Sequence, residues 1–401
     1  MRSLARICAL LTVSFRVVSA QAPAAPRTIT IGRIDSIWSP TLKENRNYIV
    51  YTPPGYAPSP YLPRAYPVLY LLDGDAHFHS VTGLLQFLGT GINGTFVVPE
   101  MIVVAIPNTN RTRDLSPTAA TVGFDGRTVP GYATGGGGPN FLKFIKTELI
   151  PHIDSTMRTD PYRILVGHSL GGITAIDALY TMPETFNAYV AIDPSLWWDN
   201  QILLKRGKDY FAKPAPAARA LFVGQANTLS DTEPIPNLHF RSIRQFDTLV
   251  NQPSNKSGIR YAFKYYAGDD HGSVPLIAEY DALRFVFDSY KLDMQKAARR
   301  PALIAEHFAK VSRALGYRVL PPERFVDRIA SLDTSKTIAV LTLNTELYPK
   351  SAHAFQVLGS ALLVRRDTTK ARMALAHALE LDPENQPAKN ALARISASPL
   401  R

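Results

Sequence analysis

The sequence predicts an α/β protein with a mostly parallel central sheet, followed by a small all-helical C-terminal domain. Three observations carry that expectation. Over residues 27 to about 292, short β-branched and aromatic runs alternate with helical periods, the pattern of a parallel sheet covered by helices. Several of these runs are apolar throughout, as expected for strands buried on both faces; Val68-Leu69-Tyr70-Leu71-Leu72 and Ile102-Val103-Val104-Ala105-Ile106 are two of them. From about Asp293 onward the chain turns to Ala-rich helical periods with almost no strand signal.

Eight strands are expected, at 27–34, 47–52, 67–72, 101–106, 162–166, 188–192, 220–223 and 259–266. Among the helices, 140–154 places Phe141, Phe144, Ile145, Leu149 and Ile150 on one face, and 274–291 carries Leu276, Tyr280, Leu283 and Phe287. Loops rich in Pro and Gly fall at 53–63, 107–139 and 228–237. The second is too long for a simple connector, so it is expected to line or cap a site, with 53–63 also shaping the pocket. Near the end, helices at 352–363 and 371–381 precede the turn Asp382-Pro383-Glu384-Asn385 and resemble one tetratricopeptide repeat. A lone repeat does not stabilise itself, so this tail is expected to pack on the main domain or on its own helices, and it offers a surface for a protein partner.

Length and composition narrow the class. With 401 residues, 46% hydrophobic, 19% charged, and 24 Gly and 31 Pro without period, the chain is no collagen, coiled coil or disordered tail. Arg2 and Arg6 precede the apolar run 7–15, and Val18-Ser19-Ala20 supplies small residues for signal peptidase, so residues 1–20 are expected to be a signal peptide and the mature protein periplasmic or secreted. Cleavage removes Cys8, the only cysteine, and lowers the net charge from +11 to +8. Cysteine nucleophiles, disulfides and zinc knuckles are thereby excluded. Lys and Arg form no block, so nucleic acid is not expected as a partner. No later stretch is apolar enough over about eighteen residues to span a membrane.

The chemistry centres on Gly167-His168-Ser169-Leu170-Gly171-Gly172, which follows an apolar strand directly and opens a helix. A bare Gly-x-Ser-x-Gly arises by chance in roughly one chain in ten of this length, but the strand before and helix after make it a nucleophile elbow. The turn presents the Ser169 hydroxyl at the sheet edge, and the amide of Leu170 faces the place where an oxyanion would form. A serine hydroxyl needs a base, and His271 lies where one is expected, in Asp269-Asp270-His271-Gly272-Ser273 between the last strand and last helix of the domain. The other histidines lack chemical context: His168 reads as a packing residue, and His77 as a candidate lining the pocket. No His/Asp/Glu spacing suggests a metal site, and no cofactor is implied.

The third member should be a carboxylate after the strand at 220–223. Asn227 holds the early position in Gly224-Gln225-Ala226-Asn227, and Asp231 and Glu233 follow; Asp231 is the choice. A second oxyanion amide is expected from Asp75, in Asp73-Gly74-Asp75, with Gly74 permitting a sharp turn. Trp197 and Trp198, after the strand at 188–192, are candidate walls of an aromatic-tolerant cleft.

Together the stretches Tyr70 to Asp75, Arg163 to Gly172, Pro183-Glu184-Thr185-Phe186-Asn187, Pro194 to Trp198 and Asp269 to Pro275 resemble the esterase family that includes ferric enterobactin esterases, siderophore esterases, feruloyl esterases and S-formylglutathione hydrolase. The resemblance covers about residues 27–292. It implies an α/β-hydrolase fold with Ser169 as nucleophile, His271 as base and the amides of Leu170 and Asp75 as oxyanion donors. The acid departs from the pattern, because family members usually show a carboxylate near Gln225 or Asn227, and some relatives work with a Ser-His pair. From Gly316 onward the tail looks like the helical extension of a secreted subgroup. The expected division is therefore a signal peptide at 1–20, a hydrolase domain at 21–292 and a helical extension at 293–401. The expected activity is an exported serine esterase acting on a small-molecule ester. The rival reading is a hydrolase-fold binding protein whose tail docks a partner.

Overall fold

The computed structural model describes residues 28–91, 94–215, 218–229 and 237–397. The expected signal peptide and Asp231 lie outside these described residues. The described residues from Ile31 onward form one compact unit.

Eight strands build one sheet: β1 (Arg33–Ser39), β2 (Glu44–Tyr51), β3 (Tyr66–Leu72), β4 (Ile102–Ile106), β5 (Thr159–His168), β6 (Ala188–Ile192), β7 (Ala220–Ala226) and β8 (Arg260–Tyr266). Their order is β1-β2-β4-β3-β5-β6-β7-β8. From β4 to β8 every pairing is parallel, while β2 runs antiparallel to both β1 and β4. Every residue of β3, β4, β6 and β7 is buried, as expected of nearly continuous apolar runs, with Gln225 near the end of β7 the polar exception. The outermost strand β1 is different: Ile34 is 70% exposed, and the strand starts six residues later than the run at 27–34 suggests. An edge strand buries little, so its sequence carries a weak apolar signal.

Helices cover both faces. One side takes α2 (Leu170–Thr181), α3 (Trp198–Phe211), α4 (Leu238–Val250) and the helical stretch that runs from Gly138–Phe144 to Ile150–Thr156 through a π turn. The other takes α1 (Gly74–Gly89) and α5 (Val274–Val286). The C-terminal helices, from Met294–Arg299 to Gln386–Ala397, continue on this second side. A single apolar core passes position 293 without a break, since Val166, Leu292, Ala297 and Leu362 share it. Rings mark the junction: Tyr162 meets Tyr317 at 5.8 Å and Phe96 meets Phe325 at 4.7 Å. Glu100, buried there, pairs with Arg64 and with Arg324. The loop at 53–63, expected to shape the pocket, instead meets the tail: Tyr61 packs edge-on against His353, and the Leu62 amide donates to Glu323. No helix among the described residues is long and apolar enough to cross a membrane.

Candidate active site

The elbow is built by steric exclusion. Ser169 sits between β5 and α2 at φ 59° and ψ −113°, a conformation an L-residue adopts only under constraint. Its amide donates to the Ile192 carbonyl at 2.9 Å, which ties the turn to the neighbouring β6. A Cβ at Gly167 would lie 2.1 Å from the Gly171 carbonyl oxygen, so no side chain fits there. The result is a hydroxyl held at the carboxyl edge of the sheet.

His271 reaches that hydroxyl from the loop between β8 and α5, with Nε2 at 3.1 Å from Ser169 Oγ. The loop is stiffened by Asp270, whose Oδ1 accepts the amides of Gly272 at 2.9 Å and Ser273 at 2.8 Å. Those bonds hold the Asp270 carboxyl below its ordinary range. The imidazole is half-exposed, with 44% of its side chain open to solvent.

The carboxylate on the far side of His271 is Asp193, which directly follows β6. Its Oδ2 stands 2.5 Å from His271 Nδ1. Asn227, at the early position ahead of the candidate acids Asp231 and Glu233, holds the histidine loop: its amide donates to the Asp269 carbonyl at 2.7 Å and its Nδ2 to the Ala267 carbonyl at 3.1 Å. Asp193 has 0% exposure and adopts φ 41°, with its amide on the Gly224 carbonyl at 2.8 Å. Its Oδ1 accepts the Ala226 amide at 2.9 Å, and Oδ2 also accepts from His239 Nε2 at 2.9 Å. Burial pushes this carboxyl up, but the hydrogen bonds from His239 and His271 outweigh it and hold the group ionised, well below the usual carboxylate range. Asp193, His239 and His271 present ligand atoms within 4.8 Å of one another, the arrangement that also suits a cation; the two imidazoles face the carboxylate at hydrogen-bond distance.

The expected oxyanion donors lie at two adjacent helix starts. Strands β3 and β5 are parallel neighbours, and each leads into a helix, α1 and α2. Leu170 opens α2, and Asp75 is the second residue of α1, so neither amide has an acceptor within its helix. The left-handed residue of the first turn is Asp73, at φ 52°, and not Gly74. Gly74 is required for a different reason, since a Cβ there would lie 2.7 Å from the Ile106 amide nitrogen. Asp73 is fixed by Arg111 Nε at 2.7 Å and Asn108 Nδ2 at 2.7 Å.

A cavity of 310 Å³ opens at Ser169, walled by Trp197 and, from the long loop at 107–139, by Phe124 and Tyr132. Both rings stand 5.8 Å from that of Trp197. Trp198 is 1% exposed and lies beneath the wall, where its Nε1 donates to the Thr118 carbonyl at 2.9 Å and pins the same loop. His77 lies behind the site rather than in the cavity: its ring is 5.6 Å from His168, and its Nδ1 is 3.7 Å from Glu279. The His168 ring lies 4.5 Å from that of His271, tilted by 42°, and burial, with the His271 charge next, pushes it down to about 3, so it stays neutral. Sequence reasoning did not single out Ser195, whose Oγ is 3.2 Å from Ser169 Oγ, nor His239 and Asp193, which meet at 2.9 Å. For Asp193 a signal existed: it ends the strand beside the elbow strand, at the edge where parallel sheets carry their sites.

Fold and site geometry define an α/β-hydrolase. The family described as "Putative esterase" matches residues 39–233. Ferri-bacillibactin esterase BesA of Bacillus subtilis is 30% identical over 253 residues, 60% of this chain and 85% of that protein. Siderophore enterobactin esterase of Emericella nidulans is 30% identical over 190 residues, covering 44% of this chain and 58% of that one. A crystal structure of an IroE-like serine hydrolase from Shewanella oneidensis superposes with a TM-score of 0.67 at 33% identity, over 79% of this chain and 98% of the other. The chain belongs to this esterase family.

Proposed function

We propose that the protein is an exported serine esterase that hydrolyses carboxylic esters through an acyl-enzyme on Ser169, with siderophore-like esters as its substrate class. The observation that carries the reading is the continuous line of hydrogen bonds from Ser169 Oγ through His271 to Asp193. Ser169 Oγ attacks the ester carbonyl carbon while His271 Nε2 takes the hydroxyl proton, and Asp193 balances the imidazolium through Nδ1–H. The oxyanion faces the amides of Leu170 and Asp75. Collapse of the tetrahedral intermediate breaks the C–O bond, and the alcohol leaves with the proton from Nε2. Water then attacks the acyl carbon, again giving its proton to Nε2, and Ser169 departs protonated with the free acid released.

The aromatic wall of Phe124, Tyr132 and Trp197 favours an aryl acyl group. The siderophore esterases named among the relatives support the same substrate class. The leader-like residues 1–20 support export. A fluorophosphonate probe tests the central step: the labelled peptide should contain Ser169, and labelling should fail in H271A. A label on another residue, or full labelling of H271A, contradicts the reading. A panel of aryl, hydroxy-acid and short acyl esters then ranks substrates by kcat/KM, and fractionation of the full-length protein reads the location.

A further inference from the structure

His239 lines the cavity at Ser169 and has no direct part in the acyl step, yet it meets the buried carboxylate of the site directly. It is the second residue of α4, it is buried, and its ring meets that of His271 edge-on at 5.3 Å and 87°. Its Nε2 lies 2.9 Å from the same Asp193 oxygen that His271 Nδ1 approaches at 2.5 Å. A carboxylate oxygen accepts, so His239 carries its proton on Nε2, and one Asp193 oxygen takes two imidazole N–H bonds.

The end of β7 holds both imidazoles in register. Gln225, buried, donates from Nε2 to the Phe240 carbonyl at 3.0 Å, which fixes the first turn of α4 beside His239. Two residues on, Asn227 holds the His271 loop at Ala267 and Asp269. Asn237 caps α4 by accepting the Phe240 amide at 2.9 Å, a further restraint on the same turn.

We propose that His239 is a positioning residue: by donating to Asp193 Oδ2 it orients the carboxylate toward His271 and tempers its pull on the His271 proton, and so sets the basicity of the catalytic imidazole. The inference rests on the serine-esterase reading above. A carboxylate oxygen already bonded to one N–H donor attracts a second donor's proton less strongly. Removing His239 therefore strengthens the hold of Asp193 on the imidazolium form of His271, and more alkaline solution is needed to free the base. The same removal leaves Oδ2 restrained from one side only, which costs alignment in the transition state. The groups facing this pair are Asp193 from the β6 turn, His168 from the end of β5 and Asp270 of the histidine loop. His168 is neutral through the working range, and Asp270 is ionised throughout it, so neither supplies the shift.

The test is the pH profile of kcat/KM for a small neutral ester in two full-length variants. In His239→Leu the acidic limb should move up by about 0.5–1 pH unit and kcat should fall about tenfold, with KM little changed. In His239→Gln, whose side-chain amide can donate in place of Nε2, the limb should return to within about 0.2 pH unit of wild type and kcat to within about threefold. Should the leucine variant not fold, His239→Asn, whose shorter amide stops short of Oδ2, takes its place. A leucine or asparagine variant with the wild-type limb and kcat overturns the proposal, and so does a glutamine variant no better than leucine. S169A separates the two levels: turnover that survives S169A sinks the esterase reading itself, whereas its loss beside an unshifted His239→Leu sinks this inference alone.

Discussion

Two of the carboxylates buried near the carboxyl edge of the sheet meet opposite fates. Asp193, on the β6 turn, accepts N–H groups from His239, His271 and the Ala226 backbone, and it is held ionised. Glu279, on α5, accepts the Ser80 hydroxyl at 3.1 Å, while His77 stays 3.7 Å away, beyond hydrogen-bond reach. Burial pushes Glu279 up to about 8, with the Ser80 bond pulling the other way. The comparison teaches that burial alone neutralises a carboxyl, and that supplied N–H donors decide whether a hidden carboxylate can serve a cationic base.

The comparison breaks if the charge of Asp193 can be relocated. In the double variant D193N/N227D the carboxylate moves to the end of β7, where the side chain at 227 faces the Ala267 carbonyl and not the imidazole. Turnover should stay at about 10³-fold or more below wild type; recovery to within tenfold would show that position matters less than charge. A smaller effect is expected of N227A. It removes the Nδ2 bond to the Ala267 carbonyl, keeps the backbone bond to the Asp269 carbonyl and leaves Ser169, His271 and Asp193 in place, and kcat/KM should fall about tenfold, the scale of one lost hydrogen bond.

Glu279 sharpens the other side of the comparison. Its folded pKa of about 8 exceeds the ordinary 4.5, so the folded state binds the proton more tightly between those values. Stability therefore falls as pH rises from 4.5 to 8, because the unfolded state gives the proton up more readily. E279Q removes this titration. Its Tm should match wild type near pH 4.5 and exceed it by about 5 °C at pH 9, while kcat changes little. A Tm difference independent of pH would mean that Glu279 is not neutralised by burial.

Sequence made much of this legible where burial leaves a strong pattern. β3, β4 and β6 are continuous apolar runs with sharp ends, and the elbow announces itself through glycines whose side chains would collide. Ser169 and His271, chosen from chain order and loop position, come together at 3.1 Å. The carboxylate that meets His271 was marked only by its place at a strand end, a place it shares with other carboxylates. Which strand end supplies a carboxylate depends on the left-handed turn at Asp193 and its bond to the Gly224 carbonyl, and neither leaves a mark in local propensity. Asn227 looked like a vacancy in the site because its partners, Ala267 and Asp269, lie about forty residues away. His239 was similarly invisible, since its role exists only through a carboxylate distant in sequence. Length alone marks the loop at 107–139 as one that lines or caps a site, and it supplies Phe124 and Tyr132 to the cavity. The Pro-rich loop at 53–63 leads into β3 at the opposite end of the strands and lies against the tail.

The most direct test compares kcat/KM of D193N and D231N on one activated ester, each variant checked for wild-type Tm. D193N should lose about 10³–10⁴-fold, and D231N should stay within about threefold of wild type. A large loss in D231N beside a nearly active D193N would contradict the account.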